Sequence, residues 1–123
     1  MNDEASAVVV DLAKNFIELV RSLDASWTKG YYRFRAEESR YGSNASYVGT
    51  SGVVLIGAIK HGSFYDSMNE KGAMLLRILG KEKGVFLLSV DSKFDYGIQF
   101  EWGDLQRWEI TKMNGRSGIP EGI

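Results

Sequence analysis

The stretch Gly84–Trp102, GVFLLSVDSKFDYGIQFEW, decides the fold because its apolar residues follow the two-residue period of a β-strand. In its first half Phe86, Leu88 and Val90 alternate with Val85 and Leu87, which are apolar too. Apolar residues on both sides favour a strand that is covered on both faces. The polar link Asp91–Lys93 has the length of a hairpin turn. The stretch therefore predicts a β-hairpin with a mostly aromatic inner face. On the second strand that face consists of Phe94, Tyr96, Ile98, Phe100 and Trp102.

Two amphipathic helices are predicted at residues 3–23 and 63–79, where apolar residues recur at three- and four-residue steps. Ser63 is the expected N-cap of the second helix, and Gly80 is its expected C-terminal stop. Gly72, in the middle of this helix, costs about 1 kcal/mol relative to alanine. Its presence indicates close packing against a neighbouring helix or strand.

The first strand is predicted at Trp27–Glu37, whose two faces differ in character. The two arginines on one face have two interpretations. They form either a strip that binds phosphate or carboxylate groups, or an exposed face paired with neighbouring acids. Tyr32, Phe34 and Ala36 share one face, and Tyr31, Arg33 and Arg35 share the other.

The middle and the end of the chain predict further short strands. Residues 39–44 have turn chemistry, and residues 45–50 and 52–60 predict two strands or one bent strand. Within them Val53–Ile56 is a continuous apolar run, typical of a central strand covered on both faces. A last short strand is predicted at Trp108–Ile110.

Together these elements predict an α+β fold, a single antiparallel sheet of about five to six strands with two helices in the order α-β-β-β-α-β-β. Residues 1–123 make one domain by size, in which residues 112–123 are expected to be a loose or peripherally packed tail. Both helices are expected on one face of the sheet. Helices on opposite faces remain an alternative, because two of the predicted strands are apolar on both sides.

Composition and charge exclude several classes of function. The chain of 123 residues is 44% apolar and 25% charged, as in average globular proteins, and its net charge of -1 gives no reason to expect direct nucleic-acid binding. The absence of cysteine excludes disulfides and thiolate metal sites. The acidic start MNDEAS is unlike a signal peptide, and no apolar run reaches the roughly 20 residues of a membrane helix. We therefore expect a cytoplasmic protein that contacts no membrane.

The sequence contains no defensible catalytic signature. His61 is the only histidine, so neither a histidine metal cluster nor a histidine-based triad with a choice of partners is available. The carboxylates that lie close in sequence are Asp91 with Asp95 and Glu101 with Asp104, at hairpin tips or outward positions where carboxylates are usually solvated. We expect no enzyme activity, no metal and no cofactor.

Charge is distributed unevenly along the chain. Residues 85–110 contain five acids and two basic residues, a balance of -3, whereas residues 25–41 contain four basic residues and two acids, a balance of +2. This asymmetry has two explanations. The charges pair between adjacent strands, or the acids form a surface that attracts a basic partner.

The closing block, FDYGIQFEWGDLQRWEI at residues 94–110, resembles small bacterial immunity proteins of polymorphic-toxin and contact-dependent growth-inhibition systems. The YezG-like group is the most similar. The block has Phe94, Phe100 and Trp102 on an aromatic strand, and Trp108 begins the last strand. The order of elements before it, with one helix leading into Trp27 and an aromatic strand, resembles the same proteins.

The resemblance implies an α+β protein without enzyme activity that binds the C-terminal domain of a cognate toxin, often a nuclease, and blocks it. A toxin that acts on nucleic acid has a basic surface, which carboxylates and aromatic anchors on an inhibitor can meet. The alternative is a small-molecule- or peptide-binding module that uses the aromatic face of the sheet. The sequence leaves the oligomeric state open. The candidate partner-binding residues are Asp91, Asp95, Glu101, Asp104, Tyr41 and Tyr47.

Overall fold

The computed structural model describes all 123 residues and has the predicted α+β fold. The elements are α1 (Asp3–Leu23), β1 (Lys29–Glu37), β2 (Arg40–Gly49), β3 (Gly52–Leu55), α2 (Gly62–Ile78), β4 (Gly84–Asp91), β5 (Tyr96–Glu101) and one 3-10 turn (Met113–Gly115). The strands form one antiparallel five-stranded sheet with the order β3-β2-β1-β4-β5, so the order α-β-β-β-α-β-β is confirmed.

Helix α1 has the predicted bounds, 3–23, and begins with a side-chain cap. The Asn2 Oδ1 atom accepts a hydrogen bond of 2.7 Å from the Ala5 N–H, which satisfies one of the free donors of the first turn. Three successive valines in this helix have a mild preference for strands, but the helical period buries Val8 and Val9 against the sheet. Tertiary packing therefore outweighs local propensity here.

Helix α2 packs closely against the sheet at Gly72. A Cβ atom at this position would lie 2.7 Å from the Phe34 Cδ1 atom, so a larger residue would displace the ring. This confirms the close approach that the glycine predicts. Gly80 ends the helix with a φ of +73°, as predicted, but His61 and not Ser63 occupies the N-cap position, without a side-chain hydrogen bond.

The predicted hairpin is the pair β4 and β5, and β4 is covered on both faces. Phe86 and Leu88 face the two helices, whereas Val85 and Leu87 lie in a second apolar cluster on the opposite side. Both helices pack on the same face, which we call the helix face, so the prediction that they share one side of the sheet is confirmed. The opposite side is the back face.

The back face is covered by residues 104–120, which have almost no regular structure and which we call the strap. Trp108 and Ile110 of the strap are buried on Val85 and Leu87. The prediction of a strand at residues 108–110 is wrong, because these residues do not pair with the sheet and Trp108 has a φ of +61°. Their alternating apolar pattern serves burial on a sheet face instead.

Four polar side chains of the back face hold the strap by donating hydrogen bonds to its main-chain carbonyl oxygens. The Arg33 Nε atom lies 2.8 Å from the Arg107 oxygen, and its Nη2 atom lies 2.8 Å from the Leu105 oxygen. The remaining donors are Arg35 Nε to Leu105 (3.1 Å), Asn44 Nδ2 to Ile110 (2.7 Å) and Ser46 Oγ to Gly118 (2.7 Å). Gly118 and Pro120 are buried, so this part of the predicted loose tail is packed.

Two predictions for the middle of the chain are wrong. Strand β2 already begins at Arg40, so residues 40–44 are not a turn; the chain reverses at Glu38 and Ser39 instead, with a φ of +54° at Glu38. Val53–Ile56 is not a central strand, because β3 is a four-residue strand at the edge of the sheet. An apolar run does not by itself distinguish a central strand from an edge strand that the strap partly covers.

Candidate functional site

The turn between β4 and β5, residues 91–96, projects aromatic and acidic side chains from a fixed backbone, and we call it the hairpin end. The Asp91 Oδ1 atom accepts hydrogen bonds from the Lys93 N–H (2.9 Å) and the Asp95 N–H (3.2 Å). The Phe94 N–H donates to the Asp91 carbonyl oxygen (2.9 Å). These bonds hold Phe94 at a φ of +69°, a conformation that residues other than glycine seldom adopt.

Two large aromatic side chains at the hairpin end are exposed to solvent. Phe94 is 53% exposed and Tyr96 is 48% exposed. The sequence placed both on the inner face of the hairpin; this is wrong for Phe94, which lies in the turn, and only partly right for Tyr96, which lies at the start of β5. Their position directly after the polar link was the available signal, because rings at a strand's first residues often extend beyond the core.

A groove of ≈ 570 Å³ lies between the hairpin end and helix α1. Its apolar lining comes from Val10, Ala13 and Ile17 of the helix together with the two exposed rings. The Arg21 guanidinium lies 5.2 Å from the centre of the Phe94 ring. Strand β5 is an edge strand, so its outer backbone groups have no partner in the sheet. The hairpin end therefore offers apolar, aromatic and backbone contacts side by side.

The predicted acidic residues fall into two separate pairs. Asp91 and Asp95 lie together at the hairpin end, where both line a cleft of ≈ 320 Å³ with Lys29 on the back face. Glu101 and Asp104 lie at the other end of β5, roughly 17 Å away along the strand. The four carboxylates therefore do not form one acidic cluster, and the hairpin end contains only the first pair.

The Glu101 carboxylate forms hydrogen bonds and an ion pair within the chain. Its Oε2 atom accepts hydrogen bonds from the Gly103 N–H (3.1 Å) and the Asp104 N–H (3.2 Å), and its Oε1 atom lies 2.7 Å from Arg107 Nη1. The hydrogen bond from Arg107, followed by those from the two backbone N–H groups, lowers the pKa of Glu101 to about 2. The carboxylate thus organises the start of the strap.

The other predicted site residues differ in how accessible they are. Asp104 Oδ1 accepts a hydrogen bond from the Gln106 N–H (3.0 Å), whereas the Asp95 carboxylate has no partner within the chain. Tyr41 is 54% exposed beside the turn between β1 and β2, away from the hairpin end. Tyr47 is only 7% exposed and belongs to the main core, so its expected role as an aromatic anchor for a partner is corrected.

The aromatic side of the sheet is filled by the helices. Tyr32, Phe34 and Phe86 are fully buried there, and the Phe34 and Phe86 rings stack with centroids 5.2 Å apart. No three histidine, aspartate or glutamate side chains come together in an arrangement that could hold a metal ion. Neither helix has the combination of length and apolar character needed to cross a membrane.

Comparison with known proteins identifies no family for this chain. The sequence matches no protein-family model and no curated protein.

Proposed function

We propose that this protein is an immunity protein that binds the C-terminal domain of a cognate bacterial toxin and neutralises it by protein–protein contact. The observation that supports this most is the pair of exposed aromatic rings, Phe94 and Tyr96, beside the groove along α1. Large aromatic side chains are the commonest anchors of protein interfaces, and exposed apolar patches of this kind mark interaction sites.

Both signs of charge surround the rings: Lys14, Glu18 and Arg21 line the groove, and the acids at the hairpin end would meet a basic partner. The Asp95 carboxylate is unpaired within the chain, and Asp91 lies in the same cleft. A nuclease domain has a positive surface where it meets phosphates, so these carboxylates would steer the encounter while the rings supply binding energy. The alternative, a small-molecule or peptide site on the aromatic face of the sheet, gains no support from a face that two helices fill.

The test is co-expression of this chain with the C-terminal domain of the protein encoded directly upstream, followed by a growth assay and size-exclusion chromatography. We expect rescue of growth and a complex that elutes as one species. Death of the cells with no complex would contradict the proposal, as would the absence of any toxic domain encoded beside the gene.

The site within the complex is tested by the double variant Tyr96→Ala with Asp95→Lys. Asp95 is chosen over Asp91 and Glu101 because its carboxylate supports no turn, so the fold is expected to persist. Binding should weaken at least tenfold, since interface anchors typically contribute 2 kcal/mol or more. The matched control is Glu70→Lys, a charge reversal on an exposed residue of α2, which should leave binding unchanged. If the double variant binds the toxin domain as tightly as the Glu70→Lys control does, the interface lies elsewhere on the molecule.

A further inference from the structure

Two arginines on the back face of the sheet converge on a single carbonyl oxygen. Arg33 Nη2 lies 2.8 Å and Arg35 Nε lies 3.1 Å from the main-chain oxygen of Leu105. Both side chains project from the same face of β1, two residues apart, so two like charges lie next to each other. Such an arrangement is unfavourable unless negative charge is close by.

Within the chain, only one of the two arginines is in direct contact with a carboxylate. Glu37 pairs with Arg35, with Oε2 and Nη2 2.9 Å apart, but no carboxylate lies within 4.0 Å of Arg33. Arg33 is nevertheless only 9% exposed. Burial lowers its pKa from the ordinary value, a shift that the charges of Glu109 and Asp104 oppose from beyond contact distance. A nearly buried guanidinium that meets only neutral carbonyl oxygens is unusual, because buried charges are normally paired.

Donors remain on both guanidinium groups after the strap is bound. A guanidinium has five N–H groups, of which Arg33 uses Nε and Nη2 for the strap, and Arg35 uses Nε for the strap and Nη2 for Glu37. The Nη1 atoms of both arginines have no partner in the chain, and neither is sealed from solvent. The hydrogen bonds to the strap and to Glu37 therefore leave N–H groups free on both arginines.

A small polar pocket lies beside the side chains of Arg33 and Arg35. It has a volume of ≈ 300 Å³ and no hydrophobic residue in its lining, which consists of Arg33, Arg35, Gly42, Ser43 and Asn44. Gly42 pairs with Arg35 across the strands, and a Cβ atom at Gly42 would meet nothing within 4 Å. The missing side chain is thus not required by packing, and it leaves room above the sheet beside the guanidinium groups.

We propose that this pocket binds a small oxyanion, a carboxylate or a phosphate group, through the free N–H groups of Arg33 and Arg35. Arginine N–H groups match the spacing of the oxygens in both ligands and bind them through charge-assisted hydrogen bonds. The ligand would place an anionic oxygen in direct contact with Arg33, a contact that no carboxylate of the chain makes. This site lies on the back face and does not depend on the function proposed for the hairpin end.

The test uses inorganic phosphate and succinate as probes, with sodium chloride at matched ionic strength as the reference. The backbone amide resonances of Gly42 and Asn44 are followed by NMR while each salt is added. Saturable shifts with phosphate, with succinate or with both are expected, and the active probe identifies the group that binds. Shifts of the Gly42 and Asn44 amide resonances no larger than those caused by sodium chloride would overturn the proposal.

The decisive variant is Gly42→Val, which fills the pocket and keeps both arginines and the strap in place. Valine suits a strand, and the open space at this position accepts its Cβ, so the variant is expected to fold as the wild type does. Its affinity for the active probe should fall at least tenfold. The control Arg77→Gln removes a positive charge from α2 and should leave the affinity unchanged. Wild-type affinity in Gly42→Val, or an equal loss in both variants, would show that only general charge attraction is present.

Discussion

The two faces of the sheet are covered in different ways. On the helix face, two regular helices pack over buried rings such as Phe34 and Phe86. On the back face, an irregular strap is held by side chains that donate to its carbonyl oxygens, and Trp108 and Ile110 are its buried apolar contacts. The same sheet therefore presents an apolar surface to one layer and a mixed surface to the other.

The reason lies in the backbone of the covering layer. A helix satisfies nearly all of its own N–H and C=O groups, so the sheet beneath it needs only apolar side chains. An irregular segment leaves carbonyl oxygens without partners, and a buried carbonyl without a hydrogen bond costs about 1–3 kcal/mol. The sheet beneath the strap must supply donors, which explains arginine, asparagine and serine at Arg33, Asn44 and Ser46.

The largest expected effect is on the helix face. Phe86→Ala removes a fully buried ring that stacks on Phe34, and the free energy of unfolding should fall by about 3–5 kcal/mol, measured by urea denaturation. Phe94→Ala is the control, because it removes the same side chain at the exposed hairpin end and should change stability by less than about 0.5 kcal/mol. Similar losses in the two variants would contradict the assignment of core and surface.

A smaller and more local effect is expected on the back face. Arg33→Met leaves the Leu105 and Arg107 carbonyl oxygens without their main donor, and we expect a loss of about 2–4 kcal/mol. By hydrogen exchange, the amides of Gly118 and Glu121, which donate to the carbonyl oxygens of Thr111 and Glu109 in the strap, should lose protection while those of β4 keep theirs.

The control for this variant is Arg40→Met, at an exposed arginine of β2 whose side chain makes no hydrogen bond or ion pair. Its exchange pattern should match that of the wild type. If Arg33→Met lowers protection in the strap and in β4 by the same amount, the strap and the sheet unfold as one unit. The strap would then have no separate local stability.

The smallest effect concerns pH and the first turn of the strap. The folded-state pKa of Glu101, about 2, lies below its ordinary value of 4.5, so its contribution to stability is present above pH 4.5 and is lost as the pH falls toward 2. Glu101→Gln should therefore be less stable than the wild type at pH 7 by urea denaturation, and the difference should shrink steadily as the pH falls from 4.5 through 2. Glu70→Gln, which removes a carboxylate without hydrogen bonds, is the control. A difference between Glu101→Gln and the wild type that is independent of pH would contradict this role.

Much of the fold was predictable because periodicity is a local property. The spacing of apolar residues was sufficient for α1, for the β4–β5 hairpin and for the coverage of β4 on both faces. Gly72 and Gly80 also kept their predicted roles, since each reflects a constraint on one backbone position. Of the candidate site, the sequence placed Asp91 and Asp95 together, because both flank the same turn.

Only the tertiary structure decided what covers each element. The run Val53–Ile56 has the composition of a central strand, but β2, β1 and β4 are the interior strands and β3 lies at the edge. The exposure of Phe94 and the burial of Tyr47 likewise depend on which elements lie beside each residue in the folded chain. The arginines of β1 contact a strap that lies 70 to 74 residues away in sequence, a contact that no local pattern encodes. Burial is a property of neighbours in space, so the sequence determined the elements and the packing determined the surface.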